Sequence, residues 1–167
     1  MSGKFILIKS SAPTRIDLAG GTLDIWPLHL FFGNAPTLNA AIDLYATVEI
    51  IPRKDKRIVL RSQDLNLEDS FSSLNTLPDH HSLELITRTL KFYAPKGGLE
   101  ISTSCQAPQG SGIGGSSALN IALHGALNKF TGKKYSKQEM IEIARNIETQ
   151  VIRVPAGSQD YFSAMYG

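Results

Sequence analysis

Residues 108 to 118 of this 167-residue chain read Pro108-Gln109-Gly110-Ser111-Gly112-Ile113-Gly114-Gly115-Ser116-Ser117-Ala118. Four glycines and three serines lie between a predicted strand, Leu99 to Cys105, and a predicted helix, Leu119 to Phe130. Glycine can adopt positive φ and lets the backbone approach a ligand, so successive N–H groups can point at one anion. The helix that follows adds its N-terminal donors and the positive end of its dipole. The segment predicts a phosphate-binding loop; a tight connection without a ligand is the alternative.

Two common phosphate loops fit this segment poorly. A Walker A loop needs Lys immediately before its Ser or Thr, and Gly115 stands there instead. Gly110, Gly112 and Gly115 satisfy the Rossmann pattern G-x-G-x-x-G, but the expected downstream acidic residue is missing between Phe130 and Tyr135. Several predicted strands also precede the loop, whereas a Rossmann unit places it after the first strand.

Strand patterns dominate the chain before the loop. Runs that are rich in β-branched and aromatic residues, or that alternate apolar with polar residues, predict strands at 5–10, 14–19, 41–52, 57–62 and 99–105. The 57–62 strand is expected to pair with 41–52 through a charged turn, Lys54-Asp55-Lys56. Residues 63–82 are polar and contain Pro78, which predicts a loop.

Helix patterns dominate the rest. Ser82 could cap a helix that runs to about Tyr93, and Gly132 is placed to close the helix over 119–130. Ser136 to Glu139 has the form of a capping box. The helix after that box carries an apolar stripe made of Met140, Ile143, Ala144, Ile147 and Val151. Strands first and helices later predict an α+β fold rather than alternating parallel βαβ units.

The composition is that of an ordinary soluble globular domain, with 42% hydrophobic and 19% charged residues. The net charge is +2 and the basic residues form no run, so no nucleic-acid partner is expected. No stretch approaches the roughly 20 apolar residues of a membrane helix, and Phe5 to Ile8 is too short for a signal peptide. A single cysteine, Cys105, cannot form an internal disulfide, which favours a cytoplasmic location.

The glycine loop resembles the phosphate loop of the GHMP kinases, the family of galactokinase, homoserine kinase, mevalonate kinase and phosphomevalonate kinase. That loop has the pattern Pro-x-Gly-x-Gly-Leu-Gly-Ser-Ser-Ala, and here Ile113 replaces Leu and Gly115 replaces the first Ser. Two further segments resemble family motifs in the family's order. The earlier one reads Ala12-Pro13-Thr14-Arg15-Ile16-Asp17-Leu18-Ala19-Gly20-Gly21-Thr22-Leu23-Asp24. The later one consists of Glu148 and, after a short loop, Gly157-Ser158-Gln159-Asp160.

The same residues also have simpler interpretations. Arg15 could form a surface salt bridge, Asp24 could cap its own turn, and Glu148 could be a solvated helix residue. Asp160 could be the N-cap of a last helix that runs through Met165. Three segments that match the family's motifs, in the order that the family has them, favour the functional interpretation.

The resemblance covers almost the whole chain and implies a GHMP kinase N-terminal, ATP-binding domain over residues 1–167. Its fold, shared with domain 2 of a small-subunit ribosomal protein, is a mixed or antiparallel sheet covered by helices. Family members are about twice as long, and their C-terminal domain carries a glycine-rich motif that nothing here matches. The chain alone is therefore expected to show little kinase activity and to need that domain in cis or in trans. An apolar face is expected where that domain would pack.

The resemblance also assigns roles to the matched residues. The phosphates of ATP would lie on Pro108, Gly110, Ser111, Gly112, Ile113, Gly114, Gly115, Ser116 and Ser117. Ser116 and Glu148 would hold Mg²⁺, a hard cation that takes oxygen ligands and keeps several waters. Asp160 would be the catalytic base, with Arg15 beside it to keep the carboxylate ionised and to stabilise the transferring phosphoryl group. The substrate would be bound by Asp160 together with Gly21, Thr22 and Asp24.

The acceptor is expected to be a sugar or a sugar phosphate. Residues 19–24 lack the Gly-Glu-His-Thr-Asp of true galactokinases, and with 39–43 and 157–160 they look more like the heptose and fucose kinases. Mevalonate-type enzymes usually carry Lys where Arg15 stands, so they rank lower. A decarboxylase of the same family, which shares the ATP loop, is a further alternative. A non-catalytic sugar or nucleotide sensor is disfavoured by the presence of both Glu148 and Asp160. A binding module on the same fold would need a basic face and no Mg²⁺ ligands.

Overall fold

A computed structural model of the protein describes residues 6–33 and 36–167. Its five strands are β1 (Ile8–Ala19), β2 (Leu38–Pro52), β3 (Ile58–Ser62), β4 (Leu67–Phe71) and β5 (Leu99–Cys105). Its five α-helices are α1 (Leu28–Phe32), α2 (Glu84–Tyr93), α3 (Gly115–Thr131), α4 (Lys137–Ile152) and α5 (Gln159–Tyr166). A short 3₁₀ turn, Leu74–Thr76, precedes α2. Within the described residues, no helix is long and apolar enough to cross a bilayer.

The strands form one mixed sheet in the order β1-β2-β5-β3-β4, in which only β3 and β5 run parallel. Helices α3 and α5 pack on β1 and β2, and α2 and α4 pack on α3. The core lies between the sheet and these helices and includes Ile50, Leu60, Ile101, Leu123 and Leu127, all of them fully buried. The predicted α+β fold, a mixed sheet covered by helices, is confirmed.

The predicted pairing of the 57–62 strand with the 41–52 strand is wrong. β5 lies between them, so Ile101 faces Ile50 in β2 on one side and Leu60 in β3 on the other. The backbone of Gly98 enters the space between the two strands, where its carbonyl accepts from the N–H of Arg53 at 2.9 Å. Placing β5 in the centre buries its apolar residues completely, which a simple hairpin of β2 and β3 would not do.

Two other strand predictions differ from the structure. The strands predicted at 5–10 and 14–19 form a single strand, β1, although Phe5 lies outside the described residues. Pro13 is accommodated because β1 is an edge strand with a register shift between Pro13 and Thr14. The predicted loop at 63–82 contains β4, an edge strand whose exposed residues are Glu68, Asp69 and Ser70 and whose ends, Leu67 and Phe71, pack against the core.

The helix predictions mostly hold. Gly132 closes α3 with a left-handed φ of 68°, and the Ser136 capping box at the start of α4 is present. Met140, Ala144 and Ile147 of the predicted stripe are buried. Three features differ. α3 begins at Gly115 rather than at the predicted Leu119, and α2 begins after Leu83 without a side-chain cap. The five-residue helix α1, which has no buried residue, was not predicted.

Candidate active site

The segment between β5 and α3 forms an open glycine loop. Gly110, Gly112 and Gly114 have φ angles of 74°, 71° and 76°, a left-handed conformation that costs other L-residues about 1–2 kcal/mol. A Cβ added at Gly110 or Gly112 would meet no atom within 4 Å. α3 begins directly after Gly114, and no side chain among the described residues caps its first turn. The N–H groups of that turn are therefore available to an anion.

Arg15 reaches from β1 to α5 and to the glycine loop. Its Nε donates to Oδ1 of Asp160 at 2.7 Å, and its Nη2 lies 2.6 Å from the same oxygen. Its Nη1 donates to the carbonyl oxygen of Gly112 at 2.8 Å and lies 3.2 Å from Oδ2 of Asp17. The Arg15 backbone N–H donates to the carbonyl oxygen of Ile113 at 3.0 Å. Arg15 is only 8% exposed, so the surface salt bridge interpretation is wrong.

Ser116 and Glu148 meet where α3 and α4 approach each other. Oγ of Ser116, in the first turn of α3, donates to Oε1 of Glu148 at 2.9 Å. Glu148 is 8% exposed, so it is not a solvated helix residue. Two adjacent ligands in an octahedron with Mg–O distances of 2.0–2.1 Å are also separated by about 2.9 Å. The spacing of these two oxygens therefore fits Mg²⁺.

A larger metal cluster is absent from the part of the chain that the structure describes. Across residues 6–33 and 36–167, no group of three or more His, Cys, Asp and Glu residues could hold a metal ion. A metal held by Ser116 and Glu148 would thus depend on phosphate and water for its other ligands. Mg²⁺ is commonly bound in this way, through one or two protein ligands plus the phosphates of a nucleotide.

One cavity joins the loop to the two acidic groups. It has a volume of about 650 Å³, and its walls are the glycine loop, the start of α3, Glu148 and Asp160. Asp64, Leu65 and Cys105 complete the lining on the strand side. Small-molecule sites typically have volumes of about 300–1,000 Å³.

The volume of this cavity, about 650 Å³, is therefore large enough for a nucleotide phosphate chain and a reacting group. A separate cavity of about 810 Å³ lies against Asp24. Its other walls come from the α1 region, from α4 and from the loop after α4, namely Trp26, His29, Arg145, Asn146, Thr149, Gln150, Arg153, Val154, Pro155 and Ala156.

Burial shifts the titration of both acidic groups in the same direction. It raises the pKa of Asp160 above the ordinary range of an aspartate, against the opposing hydrogen bond and charge of Arg15, while the charges of Asp17 and Asp24 add to the rise. Burial likewise raises the pKa of Glu148. A raised pKa makes the Asp160 carboxylate a better proton acceptor, and a cation beside Glu148 would favour its ionised form.

The predicted substrate residues lie in the turn after β1. Gly21 and Thr22 are exposed, and Thr22 has a φ of 77°. Asp24 is half-buried; its Oδ2 accepts a hydrogen bond from the backbone N–H of Gln159 at 2.8 Å and another from the N–H of Ser158. Oδ1 of Asp24 is buried and has no hydrogen-bond partner among the described residues. Asp24 thus caps a distant helix rather than its own turn.

Asp160 itself is not an N-cap. Ser158 occupies the N-cap position of α5, and Asp160 lies in the first turn of the helix. That position leaves the Asp160 carboxylate free to reach Arg15 and the cavity.

Sequence reasoning missed several residues that hold this arrangement together. Arg145 Nη1 donates to Oγ of Ser158 at 2.8 Å, and Asn39 Nδ2 donates to the carbonyl oxygen of Gln159 at 3.4 Å. Nε2 of Gln159 donates to Oδ2 of Asp17 at 3.5 Å. Strand spacing could have indicated Asp17, because alternate residues of a strand share one face and Asp17 lies two positions after Arg15 in β1. Nothing in the sequence marked Arg145.

A family profile identifies the protein class. The profile described as GHMP kinases N terminal domain matches residues 82–167, half of the chain. The chain belongs to the GHMP kinase family. The expected resemblance to this family is confirmed, as is the expected N-terminal domain fold.

Individual GHMP kinases are similar over most of this chain. It is 30% identical over 165 residues to a D-glycero-alpha-D-manno-heptose 7-phosphate kinase from Campylobacter jejuni, covering 96% of this chain and 48% of that enzyme. It is also 30% identical over 142 residues to a mevalonate kinase from Methanothermobacter thermautotrophicus, covering 85% and 43%. The crystal structure of a D-glycero-D-manno-heptose 1-phosphate kinase from Bacteroides thetaiotaomicron matches with a TM-score of 0.87 and 29% identity, over 97% of this chain and 54% of that one. The chain therefore spans about half the length of these relatives.

Proposed function

We propose that this GHMP kinase domain belongs to an ATP-dependent kinase that transfers the γ-phosphoryl group to a hydroxyl of a sugar or a sugar phosphate. The observation that supports it most is the ion pair between buried Arg15 and half-buried Asp160 beside the glycine loop, with Asp160 in the wall of the loop's cavity. In phosphoryl transfer the protein contributes mainly positioning and electrostatic stabilisation. An arginine, a carboxylate and a row of backbone N–H groups can supply both.

Asp160 is the proposed base. Both contacts from the Arg15 guanidinium go to Oδ1, so Oδ2 is the atom proposed to accept the proton of the acceptor hydroxyl. As the hydroxyl oxygen bonds to the γ-phosphorus, the bond to ADP breaks and the negative charge on the transferring group is stabilised by Arg15. The raised pKa of Asp160 favours proton acceptance.

The glycine loop is proposed to bind the phosphates of ATP. Residues 110–117 supply backbone N–H groups, whereas Pro108, which has no N–H, would only lie close to the phosphates. The uncapped first turn of α3 supplies further donors. The open space around Gly110 and Gly112 allows phosphate oxygens to come close to the backbone. These features favour a loop that binds a triphosphate over a loop that only connects β5 to α3.

Mg²⁺ is the proposed metal, held by Ser116 and Glu148. Their oxygens have the separation of adjacent Mg²⁺ ligands, and Glu148 is buried enough to gain from a neighbouring cation. When bound, the ion supplies charge neutralisation at the phosphate oxygens. Glu148 would then stay ionised, and Ser116 would turn a lone pair rather than its proton toward this position.

The acceptor is proposed to lie beside Asp160, in contact with Gly21, Thr22 and Asp24. The cavity next to Asp24 is also lined by Arg145 and Arg153, two cations that an acceptor bearing a phosphate would meet. The names of two relatives, the heptose 7-phosphate kinase and the heptose 1-phosphate kinase, support a sugar phosphate as one class to test.

A second domain is proposed to cover the α1 region and complete the cleft, in cis or in trans. Trp26, Leu30 and Phe31 are 62%, 65% and 77% exposed, and no residue of α1 is buried. Contiguous apolar surface of this kind usually marks an interface. A C-terminal GHMP domain is the proposed partner.

A mevalonate-type kinase is the second candidate. The similarity to a mevalonate kinase favours it, whereas Arg15 in place of the usual Lys disfavours it. A family decarboxylase and a non-catalytic sensor have no specific observation in their favour.

ADP formation from Mg²⁺–ATP is the test of this proposal. The chain alone and a version extended past Gly167 are assayed against free sugars, sugar phosphates and mevalonate derivatives. We expect turnover with a sugar or a sugar phosphate in the extended protein and little turnover by the chain alone. Turnover only with mevalonate derivatives would select the second candidate, and no turnover with any acceptor would reject the kinase proposal.

A further inference from the structure

Helix α5 is capped by a residue from a different part of the chain. Its N-cap residue, Ser158, makes no side-chain cap hydrogen bond. Instead, the backbone N–H groups of Ser158 and Gln159 both donate to Oδ2 of Asp24, which lies 134 positions before Ser158. A carboxylate at a helix start satisfies free N–H donors and complements the positive end of the helix dipole. Asp24 therefore takes the place of a local cap.

The contact also explains the glycine that precedes the helix. A Cβ on Gly157 would lie 2.8 Å from each carboxylate oxygen of Asp24, closer than such atoms normally approach. Gly157 is not among the glycines with positive φ. Close approach of the Asp24 carboxylate, rather than backbone conformation, is thus the reason that glycine is required here.

The capped N–H groups lie next to Asp160 in the chain. Asp160 directly follows Gln159 in the first turn of α5. A helix turns by about 100° per residue, so the place where α5 begins decides where the Asp160 carboxylate points. Arg15 cannot follow a displaced carboxylate, because it is also bonded to the Gly112 carbonyl and paired with Asp17.

We propose that Asp24 is a positioning residue, which caps α5 and thereby fixes the Asp160 carboxylate against Arg15. The inference rests on the proposed function for the role of Asp160, but the cap can be measured without catalysis. If Asp24 only bound a sugar hydroxyl, its loss would raise the KM for the acceptor and would leave kcat and the start of α5 unchanged.

Amide hydrogen exchange in the ligand-free protein tests the cap. We expect Asp24→Ala to lower the protection of the Ser158 and Gln159 amides by 10-fold or more, while the amides of α4 keep theirs. Gly157→Ala should have the same effect, because the new Cβ displaces the carboxylate without removing it. Unchanged protection at both amides in the two variants would overturn the proposal.

Gly97→Ala is the matched control for the glycine substitution. A Cβ at Gly97 meets no atom within 4 Å, and Gly97 is not among the residues with positive φ. This variant should leave the exchange of α5 and the thermal unfolding midpoint unchanged. A loss of α5 protection here too would show that any Gly→Ala change has this effect and would overturn the inference from Gly157.

Steady-state kinetics of the active kinase tests the positioning role. We expect Asp24→Ala and Gly157→Ala each to lower kcat by about 10²-fold, the cost of misplacing a reacting group by about 1 Å. Gly157→Ala keeps the Asp24 carboxylate and should change the acceptor KM little, whereas Asp24→Ala also removes a proposed acceptor contact and should raise it. The double variant should lose no more than the single ones, because both break one contact. Asp24→Asn keeps an acceptor oxygen and should recover most of kcat.

The two failures are distinguishable. A higher acceptor KM with normal kcat in Asp24→Ala would overturn the positioning role. A wild-type protein that transfers no phosphate to any acceptor, yet shows the expected exchange result, would reject the proposed function and leave the cap supported.

Discussion

Helices α3 and α5 both begin at the wall of the loop cavity, but their first turns are completed in different ways. α3 begins after Gly114 with no side-chain cap among the described residues, and open space surrounds the glycines before it. α5 begins after Ser158, and the carboxylate of Asp24 closes its first turn. Every helix start leaves backbone N–H groups without intrahelical partners. In α3 these donors are left for a ligand, whereas in α5 Asp24 takes the N–H groups of Ser158 and Gln159.

The difference separates binding from positioning. A helix start that binds phosphate must stay open, because a protein cap would compete with the ligand for the same donors. A helix start that carries a reacting side chain must be fixed, because small displacements reduce the rate steeply. α4 provides a third case, since Ser136 and Glu139 cap it locally at a distance from the cavity.

The largest expected effect is at α5. Asp160→Asn should lower turnover by ~10²–10⁴, the usual range for a lost general base, while ATP affinity changes little because α3 is untouched. Only ionised Asp160 accepts a proton, so wild-type kcat should fall as pH drops through its pKa, which burial raises. The variant should lack this acid limb in a pH–rate profile. Full activity of the variant would remove Asp160 from the mechanism.

A smaller effect is expected at the open start of α3. Ser116→Ala removes one of the two proposed Mg²⁺ ligands and should weaken Mg²⁺–ATP binding by roughly 10–100-fold, the equivalent of a lost bond to a charged group. Titration of ATP at several Mg²⁺ concentrations measures this change. An unchanged Mg²⁺ requirement would count against the role of Ser116.

A substitution in the glycine loop should change nucleotide affinity through the conformation of the backbone. Gly112→Ala places a side chain at a φ of 71° where no atom obstructs it. The substituted loop is expected to relax away from this φ in the free protein and to return to it on binding, so the strain of about 1–2 kcal/mol should weaken nucleotide binding by roughly 5–30-fold. Calorimetry measures this change, and Gly97→Ala should have no effect. Equal affinity in Gly112→Ala would mean that the loop binds the nucleotide in another conformation.

The smallest effect is expected at α4, whose cap has no proposed ligand. Ser136→Ala removes the hydrogen bond from the N–H of Glu139 and should lower the free energy of unfolding by about 1 kcal/mol. Denaturant unfolding measures the loss, and nucleotide affinity and kcat should not change. A change in kcat would show that α4 capping is coupled to the site.

Local signals in the sequence predicted the parts of the fold that depend on neighbouring residues. The end of α3 at Gly132 and the start of α4 at Ser136 are both set within one helical turn, so their sequence patterns were sufficient. Strand order depends on distant segments. β5 separates β2 from β3 because burying Ile101 between two strands is favourable, and no local pattern in the 41–62 region indicates this.

The residues of the candidate site also divide into those that local motifs predicted and those that depend on distant segments. The motifs contained Arg15, Glu148 and Asp160, and the structure brings all three to the glycine loop. Their proposed roles stay predictions. The hydrogen bonds from Arg145 to Ser158 and from Asn39 to Gln159 depend on how α4 and β2 approach α5, which the sequence does not indicate.

The pairing of Arg15 with Asp160 joins residues 145 positions apart in the chain. At translation rates of about 5–20 residues per second, roughly 7–30 s separate the synthesis of these two residues. The glycine loop and α3 are synthesised within that interval, before α5. A nascent chain would therefore contain its phosphate-binding segment before its proton acceptor, and the reacting pair would be among the last contacts of the domain to form.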